Sequence, residues 1–93
     1  QGVKQDHVKA VEWYSKAAKQ GNALAQYNLG NWYEFGEGVN QNHVKAFEWY
    51  SKAAEQGNAD AQVVLGICYK NGRGLKQDYV KAFEWYTKAA EQG

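Results

Sequence analysis

The chain has 93 residues, of which 44% are hydrophobic, 15% aromatic and 23% charged, a composition that excludes a disordered tail and fits one folded domain. Eleven Lys and Arg stand against ten Asp and Glu, so the net charge of +1 lacks the basic excess of a nucleic-acid binder. A single cysteine, Cys68, excludes an intrachain disulfide and a cysteine-cluster zinc site, and no apolar run approaches the roughly 20 residues of a membrane span.

The opening QGVKQD has neither a basic n-region nor an apolar h-region, so no signal peptide is read there. The first predicted helix covers 7–20, with Asp6 placed to cap its start and Gly21 to end it. Asn22 caps a second helix over 23–35. The glycines of GEGV at 36–39 mark a stop and a tight turn. They do not make a phosphate loop, which follows a strand and opens a helix, whereas these follow a helix. Asn42 caps a third helix over 43–56, closed by Gly57, and Asn58 caps a fourth over 59–71. GRGL at 72–75 repeats the turn, and Asp78 precedes a fifth helix over 79–92. On the third helix Ala46, Phe47, Trp49, Tyr50, Ala53 and Ala54 share one face, opposite Lys45, Glu48, Ser51, Lys52 and Glu55. Glu12/Lys16, Glu48/Lys52 and Glu84/Lys88 stand at i, i+4 with the Glu first, pairs expected to support a solvated outer face by about 0.2–0.5 kcal/mol each.

Trp13, Trp49 and Trp85 are spaced by 36, as are Gly21, Gly57 and Gly93, and 23 of 36 positions agree between 22–57 and 58–93. Such a period marks a solenoid, in which no unit buries its apolar face alone and stacked neighbours share a continuous core. The chain is one array: a half unit at 1–21, then full units at 22–57 and 58–93. The helices at 23–35 and 59–71 are termed A-type and those at 7–20, 43–56 and 79–92 B-type, giving the order B-A-B-A-B. No polar terminal helix covers either end, so a segment of a longer array is expected.

The runs AQYNLGNWYEFGEGVNQNHVKAFEWYSKAAEQGN, from Ala25 to Asn58, and AQVVLGICYKNGRGLKQDYVKAFEWYTKAAEQG, from Ala61 to Gly93, resemble the Sel1-like repeat family, relatives of the tetratricopeptide repeats with a longer unit. The resemblance covers the whole chain, and AxAQxxLGxxYxxGxG joined to KAxxWYxKAAxQG is a highly specific combination. It implies an all-α, right-handed superhelical solenoid of five helices, each antiparallel to the next. It also implies that the A-type helices line the concave side, where a bound segment would lie.

Advancing 100° per residue along the A-type helices separates two sets of side chains. Ala25, Gln26, Leu29, Gly30 and Tyr33 recur as Ala61, Gln62, Leu65, Gly66 and Tyr69 and are expected to pack the seam between A- and B-type helices. Leu24, Tyr27, Asn31, Glu34 and Phe35 become Asp60, Val63, Ile67, Lys70 and Asn71, a set that stacking leaves free to vary. Together with the concave placement that the resemblance implies, these ten are candidate contacts for a protein or peptide partner. Tyr27, Phe35, Val63 and Ile67 would supply an apolar patch rimmed by Asn31, Glu34, Asp60 and Lys70. The competing reading is a plain solvent face, since single exposed apolar residues are common.

His7 and His43 occupy equivalent places, with Tyr79 at the third, and no further ligand follows at short spacing; they are expected to pack or cover a loop rather than hold a metal. Cys68 stands where the preceding unit has Trp32, which suits a small buried hydrophobe better than a nucleophile needing a histidine base. No catalytic set or cofactor motif is legible, so an enzyme is not expected. The functional expectation is a protein-interaction scaffold that captures a partner segment along the A-type surface. The alternatives are a structural array that joins end to end through terminal B-type helices exposing Trp13 or Trp85, and a regulatory segment of a larger protein.

Overall fold

A computed structural model of the chain describes residues 2–36 and 39–92, with side chains from Lys9 onward. Five α-helices follow one another: α1 at Gly2–Lys19, α2 at Ala23–Phe35, α3 at His43–Glu55, α4 at Ala59–Asn71 and α5 at Tyr79–Gln92. Each is antiparallel to the next, because contacts run in opposite directions along the pair: Glu34 meets His43, whereas Gln26 near the start of α2 meets Gln56 just past the end of α3. The stack is elongated, 43 × 23 × 19 Å.

The helix ends follow the sequence signals closely. Asn22, Asn42, Asn58 and Asp78 each accept a first-turn amide, from Ala25, Lys45, Ala61 and Lys81, at 2.8 to 3.1 Å. Such a cap is worth about 1 kcal/mol. Gly57, with φ of 98°, lets the chain reverse after α3: its amide reaches the Ala54 carbonyl at 3.0 Å and the Asn58 amide reaches that of Ala53 at 3.1 Å. Asn58 thus closes α3 with its amide and opens α4 with its side chain. Gly21 and Asn22 do the same between α1 and α2.

The loops from A-type to B-type helices are also built alike. Gln41 and Gln77 each cross back to a helix-end carbonyl, of Glu34 and Lys70, while the Asn42 and Asp78 amides bond Tyr33 and Tyr69. Glu37 and Gly38 of the GEGV turn lie outside the described residues, but GRGL is seen in full. A side chain at Gly74, where φ is 82°, would run into the His43 carbonyl oxygen.

Two expectations are corrected. The first helix begins at Gly2 and runs through Asp6, which therefore does not cap it. Before α3 and α5 the corresponding loop is instead held out of the helix by carbonyls of the preceding A-type helix, at Tyr33 and Glu34 and at Tyr69 and Lys70. The side chain of His7 lies outside the described residues. The i, i+4 ion pairs are not formed either: Lys52 and Lys88 lie over the half-buried rings of Trp49 and Trp85, at 5.7 and 4.7 Å from the centroids, in cation–π contacts.

The core sits in the seams. Ala46, Tyr50, Ala53 and Ala54 of α3 pack with Ala61, Leu65 and Cys68 of α4, and Val11 and Ala18 of α1 pack with Ala25 and Leu29 of α2. Leu29 and Leu65 are fully buried, which contributes about 1.5–3 kcal/mol each. Gly30 and Gly66 are where the helices come closest: a Cβ on either would lie 2.7 or 2.8 Å from the ring of Tyr50 or Tyr86. Next to these contacts, Gln26 donates to the Ala18 carbonyl and accepts from Gln56, and Gln62 donates to the Ala54 carbonyl and accepts from Gln92. One buried amide therefore ties three successive helices, twice over.

Gly30→Leu forces a branched side chain into the Tyr50 ring and should lower stability by about 1–3 kcal/mol or more. Tyr27→Ala, at a half-buried ring, should lower it by less. Urea unfolding of both variants checks the order, and a reversal would mean that α2 presents a different face to α3.

Candidate partner-binding face

The ten candidate residues do not behave as one set. Leu24 and Phe35 of α2 are exposed, as are Asp60, Val63, Ile67, Lys70 and Asn71 of α4. Val63 and Ile67 lie one turn apart on one side of α4, 41% and 39% exposed, and form an apolar step flanked by Asp60 before it and Lys70 and Asn71 after it. Leu24 and Phe35 sit at opposite ends of α2, about 16 Å apart along its axis. Between them Tyr27 and Asn31 are drawn inward and half-buried. The Tyr27 ring lies 5.9 Å from that of Tyr50, and Asn31 Oδ1 accepts the Tyr50 hydroxyl at 2.5 Å. On α2 the face is therefore partly spent on holding Tyr50; on α4 it is open.

Glu34 is a correction. Expected on the rim, it is buried, at 6% exposure, and its carboxylate is occupied: Oε1 faces His43 Nδ1 at 2.9 Å and Oε2 accepts from Arg73 Nη1. The helical wheel described α2 alone, whereas the loop after α4 folds back over its C-terminal end. Reading from sequence left Arg73 inside the GRGL turn and did not pair it. The available signal was the sign change at two positions at once, Glu34 to Lys70 and Glu37 to Arg73.

Electrostatics near this cluster concern two groups. Burial pushes the Tyr50 phenol well above its ordinary range, with the Glu34 carboxylate adding to the effect. Burial likewise pushes the Cys68 thiol up to about 11, again with Glu34 adding and Arg73 opposing. Cys68, 3% exposed, is thus the buried hydrophobe expected at the position that Trp32 holds in the preceding unit. Among the described residues no three metal-ligating side chains converge and no helix is long and apolar enough to cross a membrane.

The Sel1 repeat family model matches three consecutive stretches, 1–22, 23–58 and 59–93. The chain belongs to the Sel1 repeat family. Solved structures similar to it include a Sel1 repeat protein from Oxalobacter formigenes and c5321, a protective antigen of uropathogenic Escherichia coli strains that displays an SLR fold. Both are 48% identical over 92% of this chain, with TM-scores of 0.91. This chain spans only 35% and 18% of their lengths. Helicobacter pylori cysteine rich protein B is similar too, at 29% identity and a TM-score of 0.86, over 89% of this chain and 62% of its own. No curated protein matches by sequence. Sel1 repeat proteins are in general non-enzymatic scaffolds for protein–protein interaction.

At pH 8 a thiol with a pKa of about 11 holds about a hundredfold less thiolate than one at the ordinary value of 9.0. Iodoacetamide should therefore alkylate Cys68 of the Sel1 array at least a hundredfold more slowly in buffer than in denaturing urea. Equal rates by mass spectrometry would place Cys68 at the surface.

Proposed function

We propose that this Sel1 repeat chain binds a segment of a partner protein along the exposed, concave side of its A-type helices, with Val63 and Ile67 as anchors. The observation that carries the proposal is the pair itself: two branched apolar side chains exposed one turn apart on a helix side that no other helix of the array covers. Their counterparts in the preceding unit are Tyr27 and Asn31, so this surface differs between units that are otherwise alike. An apolar step with an acidic residue at one end and a basic one at the other suits a segment presenting apolar side chains to the step, its orientation set by the flanking charges. Leu24 and Phe35 extend the surface on α2, while Tyr27 and Asn31 contribute from a half-buried position. Glu34 is not part of it.

Peptides selected from a displayed random library on the immobilised chain should lose most of their affinity for Val63→Ser/Ile67→Ser. Circular dichroism and unfolding should show that variant intact. Selected peptides that bind the variant as well as the parent would remove the α4 face as the site.

Apolar surface at both ends supports a second reading, association of copies end to end. Trp13 of α1 is 75% exposed beside half-buried Tyr14 and Ala17, and Phe83 of α5 is 71% exposed beside Val80. Each internal seam, however, sets a B-type helix against an A-type one, and an end-to-end pair would set two B-type helices together, with no glycine to receive Tyr14. Light scattering is accordingly expected to give the monomer mass across a wide concentration range, and a rising mass would favour association.

A further inference from the structure

Among the described residues Glu34 is the one charged side chain that is buried, and one of its two partners belongs to the next unit. His43 Nδ1, at the start of α3 in the same unit, lies against Oε1; Arg73, in the loop after α4, reaches Oε2 at 2.5 Å. Arg73 follows Glu34 by one period and three residues, so every junction between full units brings these two positions together. In the sequence the position of Glu34 recurs as Lys70, and that of Arg73 is preceded one period earlier by Glu37. Both signs change. The third member changes with them: His43, a donor to the carboxylate, is replaced by Tyr79, whose hydroxyl accepts from Gln77 at 3.0 Å.

Elsewhere the seams differ in the size of apolar side chains, with Trp32 against Tyr14 in one and Cys68 beside Phe47 and Val64 in the next, and carry no charge among the described residues. The glutamine, leucine, glycine and tyrosine of the seam are the same in both units and do not distinguish one neighbour from another. We infer that the Glu34 and Arg73 positions form a charge code that sets which units can stand next to each other in the array. An acidic residue at the first position accepts a following unit whose loop is basic. A basic one, as at Lys70, accepts a following unit whose loop is acidic. Unlike units then stack in either order, since the native order joins Glu34 to Arg73 and the reverse would join Lys70 to Glu37. Like units do not: a repeated 22–57 sets Glu34 against Glu37, and a repeated 58–93 sets Lys70 against Arg73. Because Glu34 is buried, a like charge there is screened far less than at an open surface. The unit that fits beyond α5 therefore carries Asp or Glu at the position equivalent to Arg73.

Thermal unfolding of the full chain tests the code. Glu34→Lys and Arg73→Glu should each lower Tm by about 5 °C or more, and the two together should recover most of that loss, with His43→Tyr recovering more. Should either reversal fail to fold, the milder Glu34→Gln and Arg73→Gln cycle reads the same coupling. An array in which 58–93 is replaced by a second 22–57 should melt lower than the native one and regain stability with Glu37→Arg in its second copy. Strictly additive losses in both cycles, or a duplicated array indifferent to Glu37→Arg, would overturn the code.

Discussion

The structure depends on the contact between a glycine and a tyrosine ring. Gly30 and Gly66 lie so near Tyr50 and Tyr86 that a single added carbon would fall inside van der Waals distance, and this separation sets how closely α2 meets α3 and α4 meets α5. Close approach has a further effect. It brings the glutamine one turn earlier within reach of partners on both sides, so Gln26 and Gln62 each bond a carbonyl of the preceding B-type helix and the terminal glutamine of the next. A buried amide without partners would cost more than it contributes, and here both its ends are used.

That geometry leaves the surfaces with different tasks. On α3 and α5 the tryptophan lies half-buried against the core and the lysine three residues on covers its ring from the solvent side rather than pairing with glutamate. A-type helices keep one side in the seam and leave the other available, fully on α4 and partly on α2. The difference follows from side-chain length: Tyr27 and Asn31 reach the Tyr50 ring and hydroxyl, whereas Val63 and Ile67 are short, carry no polar atom and stay at the surface.

Much of this was legible in the sequence. The period located the units, glycines and asparagines located the helix ends, and identical residues at identical places identified the seam. These signals are local or strictly periodic, so a one-dimensional reading captures them. The wheel for α2 erred at Glu34 because a helix taken singly says nothing about a loop arriving from 39 residues further along. The start of α1 was misplaced for a related reason: Asn42 and Asp78 begin their helices where their amides bond carbonyls of another helix, a contact that a capping residue type alone does not reveal, and α1 runs through Asp6.

By itself the sequence determined the family, the helix order and which residues hold the helices together, because repetition copies whatever stacking requires and small residues are kept where backbones must meet. Only the tertiary structure decided which of the varying residues remain available. Tyr27 and Asn31 are drawn toward Tyr50, Glu34 is enclosed by Arg73 and His43, and Val63 and Ile67 are left open. The physical reason is that exposure at a varying position depends on what the neighbouring unit places over it, and that contact is made across the stack rather than along the helix.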